Sequence, residues 1–373
     1  MEVIVAKRVR WLRLASRTLA VVLFATALYL VAAPTGHYLL RVAWEEGKIL
    51  GRRRPITTLT TDPTTSPALR AKLLLVLAAR AFARDSLGLR TGESFTTYSR
   101  LDRDTLVLVL SAAYRDQLKS YNWWFPVVGR VPYKGYFDFP EAQRAVRDLT
   151  AEGFDARAGA ASAFSTLGWF NDPLLPTTLR ADSLTLANTV IHELTHNSYY
   201  APGGAVFNES FANFVGSRGA ERFFRTRGWP AAADAVVARW EDEKVMSRFW
   251  AALYATVDST FRAHPGAEAT QVALRITLRD SIFGDARQTL VQGVGPRLRS
   301  MRVGALEHIR LDNAILLARR VYLTDVDAFD AVLARDGGDL RRTIAEIIAA
   351  ARADRKAPFE AVKRLARGVA VQP

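Results

Sequence analysis

Residues 182–215 read D-S-L-T-L-A-N-T-V-I-H-E-L-T-H-N-S-Y-Y-A-P-G-G-A-V-F-N-E-S-F-A-N-F-V. Asp182 or Ser183 can cap a helix that runs through Leu184 to about Tyr200. Within it His192 and His196 stand four residues apart, one turn of the same helix face, so their imidazoles can converge on one zinc ion. Glu193 follows the first histidine and points near the metal's open position, where it can act as general base on zinc-bound water. A catalytic zinc takes three protein ligands and keeps one position open. The third candidate is Glu209, early in a second helix over about Val206–Arg227. Pro202, Gly203 and Gly204 lie between the two helices and allow the chain to reverse, bringing Glu209 against the histidine pair. The chain has 5 histidines in all, which makes a chance pair bracketing a glutamate rare.

An HExxH helix followed by a ligand glutamate on the next helix is the gluzincin arrangement, so a zincin-like metallopeptidase domain is expected. The expected reaction is zinc-dependent hydrolysis of peptide bonds, with an aminopeptidase as the first reading and an endopeptidase as the near alternative. A third reading is an envelope scaffold that keeps the fold and metal without catalysis; the intact Glu193 argues against it. Glu221, Asp182 and His264 are less well placed as ligands.

Outward from this stretch the chain divides in two. Before it, a helix is expected from Pro67 to about Leu87. A β-rich segment over 94–131 includes the apolar run 105–110, a helix at Glu141–Glu152 is closed by Gly153, and a strand pair covers Phe154–Ser165. After it come helices at roughly 231–263, 267–300 with a break near Gly293–Pro296, 310–335 and 339–353. The expected class is α+β: a small mixed or antiparallel sheet in the amino-terminal half and a helical carboxy-terminal half. The expected division is a basic segment 1–17, an apolar segment 18–40, a connector 41–65 and a metallopeptidase domain 66–373.

The amino-terminal segment carries a second signal. Residues 1–17 hold five cations against Glu2 alone, a net +4 of the chain's +14. An uncharged run from Thr18 to Pro34 follows and continues to Leu40. A basic flank before an apolar run marks a signal peptide or a membrane anchor rather than a core helix. The small-residue site Val31-Ala32-Ala33 is followed by Pro34, which hinders cleavage, so a retained anchor is favoured. The positive-inside bias then places the protein in the inner membrane as a single-pass chain, with the catalytic domain on the extracytoplasmic side. The remaining positive charge is spread along the chain, without a finger, an aromatic nucleotide-binding signature or a concentrated basic helix, so nucleic acid is not an expected partner. The absence of cysteine excludes disulfides and thiolate metal sites.

The motif region resembles a bacterial family of predicted zinc aminopeptidases, often anchored in the cell envelope. The resemblance extends to R-R-R-P-I (52–56), F-P-V-V-G-R-V-P-Y-K-G-Y-F-D (125–138), S-T-L-G-W-F-N-D-P-L-L (165–175) and D-N-A-I-L-L-A (312–318). It departs in lacking a lipobox cysteine, in having Thr195 and Asn197 around the second histidine, and in placing Trp124 and Arg130 where relatives carry paired cysteines. The resemblance implies an edge strand before the motif helix that pairs with substrate backbone. Thr166 and Gly168 are the candidates for it, with Asp172 to meet a substrate amine; an ordinary core strand and turn is the alternative. Tyr133, Lys134 and Tyr136 are candidates to line the cleft or to pack the sheet. Tyr322, in the late matched region with Asn313, is the first candidate to hydrogen-bond the oxyanion, with Tyr199 and Tyr200 as rivals.

Overall fold

A computed structural model of the chain describes residues 2–101, 107–125, 129–160, 173–322 and 324–368. The architecture is α+β, predominantly helical, and every pair of described strands is antiparallel. The largest sheet has three strands. Leu108–Tyr114 lies at its centre, flanked by Lys134–Tyr136 and by Phe154–Ala160, with Leu108 opposite both Tyr136 and Ala160. Residues 102–106 of the expected apolar strand lie outside the described residues. The helix Phe139–Ala151 packs on this sheet through Ala142 and Leu149, and Gly153 ends it at φ 89°, a conformation only glycine adopts freely. A two-stranded hairpin, Trp123–Phe125 with Gly129–Val131, sets Trp124 directly opposite Arg130.

The helical part is built around the motif helix, Ser183–Ser198. Asp182 caps it, its side chain accepting from the Thr185 N–H. Leu186, Ala187, Val190, Ile191 and Leu194 form the inner stripe of this helix and are fully buried. Against it pack Pro67–Asp85 and the helix Ala205–Thr226, here called the glutamate helix. The burial of the aliphatic stripe fixes the opposite face, which carries His192 and His196, by the 3.6-residue repeat.

The glutamate helix approaches the motif helix unusually closely, because glycines stand at the contact. A Cβ on Gly216 would lie 2.7 Å from Asn188 Oδ1 and 3.1 Å from His192 Cβ, and one on Gly219 would lie 2.9 Å from the Ile191 side chain. On an exposed helix a side chain in place of glycine gains up to about 1 kcal/mol. At this contact the clash outweighs that gain. Gly216→Val should lower the unfolding free energy by about 1–3 kcal/mol, read as a fall in denaturation midpoint at unchanged slope. An equal or higher midpoint would show that the contact is not tight in solution.

The long helix Pro230–Ala263 runs beside the glutamate helix, and Arg239 returns to pair with Asp182 at 3.1 Å. Beyond it, Ala269–Gln288 and a widened turn over Thr289–Val294 form a second core with Trp250, Leu253 and Leu316. The expected helix at 310–335 is two helices, Asn313–Tyr322 and Val326–Arg335. The second begins after Asp325, which takes a left-handed φ of 51°. A helix at Pro358–Ala366, not expected from the sequence, closes the chain's last core contacts through Ala361 and Val362.

Asn313 joins the helical part to the sheet. Its fully buried amide donates to the carbonyls of Tyr114, Arg115 and Gln117, and its backbone N–H donates to Asp155 at 2.9 Å. Arg279 closes the network, bonding Asn313 Oδ1 and pairing with Asp155. Each member is buried, so each needs its partners.

At the amino terminus the helix Glu2–Ala32 contains the window Ala15–Ala32, the one segment among the described residues long and apolar enough to cross a membrane; a signal sequence has the same character. The helix ends at Ala32, not at Leu40. Pro34 starts a new helix, Pro34–Gly51, that runs through the expected start of the connector at position 41. Proline lacks the N–H that the preceding helix would need for continuation.

Candidate metal centre

Three features of the chain bring Glu209 to the histidines. First, Asn208 is buried and holds the connecting loop, its side chain bonding both the N–H and the carbonyl of Ala201 at 2.8 and 2.9 Å. Second, Gly203 turns the chain at φ 74°. Third, the glycine contact described above lets the helices lie close enough for short side chains to meet. His192 Nε2 and His196 Nε2 then face each other at 3.2 Å. Glu209 presents one oxygen to each ring, 3.4 Å from His192 and 3.5 Å from His196. Side-chain exposures of 13, 19 and 25% leave the cluster lining a recess rather than sealed in the core.

The electrostatics set two histidines against one carboxylate. Burial opposes charging His192, yet its hydrogen bond to Glu209 and the charges of Glu193 and Glu209 prevail and raise its pKa. Burial and the neighbouring His192 push His196 down to about 4. Burial also works to raise Glu209, but the two histidines outweigh it and hold its carboxyl below the ordinary glutamate range. Two imidazoles converging on a carboxylate whose ionised form is favoured offer three donors to a cation.

The spacing suits a small divalent ion. Metal–donor distances of about 2.0–2.2 Å place tetrahedral donors about 3.3–3.6 Å apart; the two histidine nitrogens are 3.2 Å apart, each ring has a different Glu209 oxygen at 3.4 or 3.5 Å, and one donor atom from each residue can be chosen with all three within 4.8 Å. These three residues are also the group of metal-capable side chains that converges among the described residues. Glu193 is half-buried beside them.

The other candidates separate clearly. Asp182 is a helix cap paired with Arg239; Glu221 pairs with Arg218 and Arg225; the His264 carbonyl accepts from Arg275. None approaches the cluster. Tyr199 is buried against Phe207, whereas Tyr200 is exposed with its ring 6.4 Å from that of His196. Tyr322 ends its helix two residues before Thr324, whose N–H donates to Ser210 Oγ beside Glu209; the Tyr322 side chain is outside the described residues. Thr166, Gly168 and Asp172 also lie outside them. Tyr136 is a buried sheet residue and Lys134 lies over the Tyr38 and Tyr136 rings, which favours packing for both, while Tyr133 is exposed.

One neighbour of the cluster escaped the sequence reading. Asn213 interacts with the His192 side chain and helps raise its pKa. It stands one turn beyond Glu209 on the same face, so the signal was present in N-E-S-F-A-N as an i, i+4 pair. Outer partners of this kind fix the orientation of a ligand histidine.

Two antiparallel helices that gather two histidines, a glutamate and an adjacent second glutamate define a candidate metal-dependent hydrolase site. The chain belongs to the family described as "Putative aminopeptidase", whose model matches residues 37–361 and thus takes in the whole site. That membership supports a peptidase function. No curated protein and no solved structure matches the chain.

Proposed function

We propose that the protein is a zinc-dependent peptidase that removes residues from a free amino terminus. The observation that carries this reading is the convergence of His192, His196 and Glu209 at metal-donor spacing, beside Glu193, in a chain of an aminopeptidase family. A bound zinc ion would polarise the scissile carbonyl and lower the pKa of a water to about 7. His192, His196 and Glu209 would hold it, and three ligands are the number that leaves a position open for chemistry. Glu193 accepts the proton of the attacking water and returns it to the leaving amine. Asn213 fixes the His192 ring. We assign the hydrogen bond to the developing oxyanion to Tyr322, because Thr324, two residues beyond it, is tied to Ser210 next to Glu209. Thr166 and Gly168 are assigned to the substrate backbone and Asp172 to the substrate amine. We further propose that the helix Glu2–Ala32 is a retained single-pass anchor with the catalytic domain outside the inner membrane.

The test of substrate choice uses matched peptides with free and acetylated amino termini. A charge-paired hydrogen bond to the amine is worth about 1.5–3 kcal/mol, so acetylation should lower kcat/KM by roughly 10- to 150-fold. Internal cleavage of acetylated peptides at the rate of free ones would instead make the protein an endopeptidase.

A further inference from the structure

The helix Pro34–Gly51 makes contacts both with the domain and with the apolar helix before it. On the domain side, Tyr38 packs on Phe125 with ring centroids 5.3 Å apart, and the Ile49 carbonyl accepts from Ser99 Oγ at 2.7 Å. Val42 and Ile49 enter a core with Val107, Phe137 and Leu175. On the other side a single residue, Ala33, separates it from the apolar helix. Gly36 sits so close to that helix that a Cβ there would overlap the Tyr29 carbonyl oxygen and lie 2.6 Å from Leu30 Cα. In one continuous helix these positions would be about 9–10 Å apart along the axis at 1.5 Å per residue. The chain therefore turns a tight corner at Ala33, and the second helix leaves beside the last turn of the first.

The outward side of this second helix exposes two large apolar side chains among His37, Arg41 and Gly47. Tyr38, Val42, Glu45 and Ile49 take the inner side; Leu40 and Trp44, on the opposite side, are 44 and 67% exposed. The adjoining hairpin, whose Phe125 packs on Tyr38, exposes Trp124 to 62% opposite the exposed Arg130, and Tyr133 is 47% exposed two residues after its second strand. Tryptophan and tyrosine with neighbouring arginine and lysine are the composition that settles at the headgroup layer of a bilayer.

We propose that Leu40 and Trp44, with Trp124 from the adjoining hairpin, form a docking surface for the lipid headgroup layer of the same membrane that holds the helix Ala15–Ala32. The inference rests on the anchor reading. Its occupant follows from continuity: the corner at Ala33 leaves no free linker, so the solvent at the end of the first helix also borders the first turns of the second. An interfacial helix of this kind buries its apolar face about 5–10 Å into the headgroup boundary. The consequence is a catalytic domain held in one pose against the membrane instead of tethered loosely above it.

The sequence contains no cysteine, so single introduced cysteines report one site each. Nitroxide labels would be placed on the full chain at Leu40→Cys, Trp44→Cys and Trp124→Cys. Val22→Cys reports the anchor, and Arg262→Cys, on a 74% exposed side chain, reports water. The chain is reconstituted in vesicles of phosphatidylcholine and phosphatidylglycerol, and collision with oxygen is compared with collision with an aqueous nickel chelate. The oxygen-to-nickel ratio at 40, 44 and 124 should be severalfold above that at 262 and below that at 22. Ratios at 40 and 44 equal to that at 262, with 22 inside the bilayer, would overturn the docking surface and leave the anchor standing. An aqueous ratio at 22 would overturn both. Protection of 44 from both reagents with spin–spin broadening would assign the face to a second copy of the chain and also overturn the proposal.

Discussion

Glu193→Gln should reduce kcat by at least about 10²-fold, the scale for losing a general base, while leaving bound zinc and KM near their original values. Glutamine keeps the length and shape of the side chain but cannot take the water's proton at neutral pH. The substitution removes a neighbouring negative charge that helps raise the His192 pKa but alters none of the three proposed ligand side chains. The ligand set is thus left intact, and the loss appears in turnover. Steady-state kinetics alongside metal analysis separates the two effects. Turnover like that of the parent would remove Glu193 from the mechanism, whereas loss of zinc together with turnover would give it a structural role at the metal.

The second large effect concerns the ligands. The full chain should bind about one zinc, and His192→Ala with His196→Ala should abolish stoichiometric binding and activity together, since a single remaining ligand cannot hold a catalytic zinc. The comparison that gives this result its meaning is Asn213→Ala. Asn213 touches His192 and is not itself a ligand, so its removal should weaken zinc affinity by about 10–100-fold without abolishing it. That ordering is read by competition with a chelator of known affinity. Stoichiometric zinc in the double histidine variant would place the metal elsewhere. An Asn213→Ala affinity equal to that of the parent would show that the His192 ring is oriented by other contacts.

The legible part of this protein is its local part. His192, Glu193 and His196 lie within one turn of helix, and Glu209 follows after a single loop, so helical periodicity and turn chemistry suffice to bring them together. The cap at Asp182 and the stop at Gly153 belong to the same category. What periodicity cannot express is contact between distant segments. Asp155, Arg279 and Asn313 form one buried network from three separate elements. Their pattern in the chain shows only an ordinary charged or polar residue at each position. The split at Asp325 was hidden for a different reason: no glycine or proline stands there, and tertiary packing imposes the left-handed turn. Pro34 did carry the signal for a helix break, but read only as an obstacle to cleavage it concealed the corner it creates. The close helix contact was in view as Gly216 and Gly219, whose meaning depends on knowing which helix they face.

The closely packed helix pair has a kinetic side as well. His192, His196 and Glu209 fall in one stretch, 192–209, of a single helical hairpin, so the closure entropy for assembling the ligand set is that of a short loop. The bond that ties this hairpin to Thr324 joins residues more than 100 positions apart, as does the one that ties Asn313 to the sheet, so both close far longer loops. The three side chains can therefore come together on a local segment before the rest of the domain is complete.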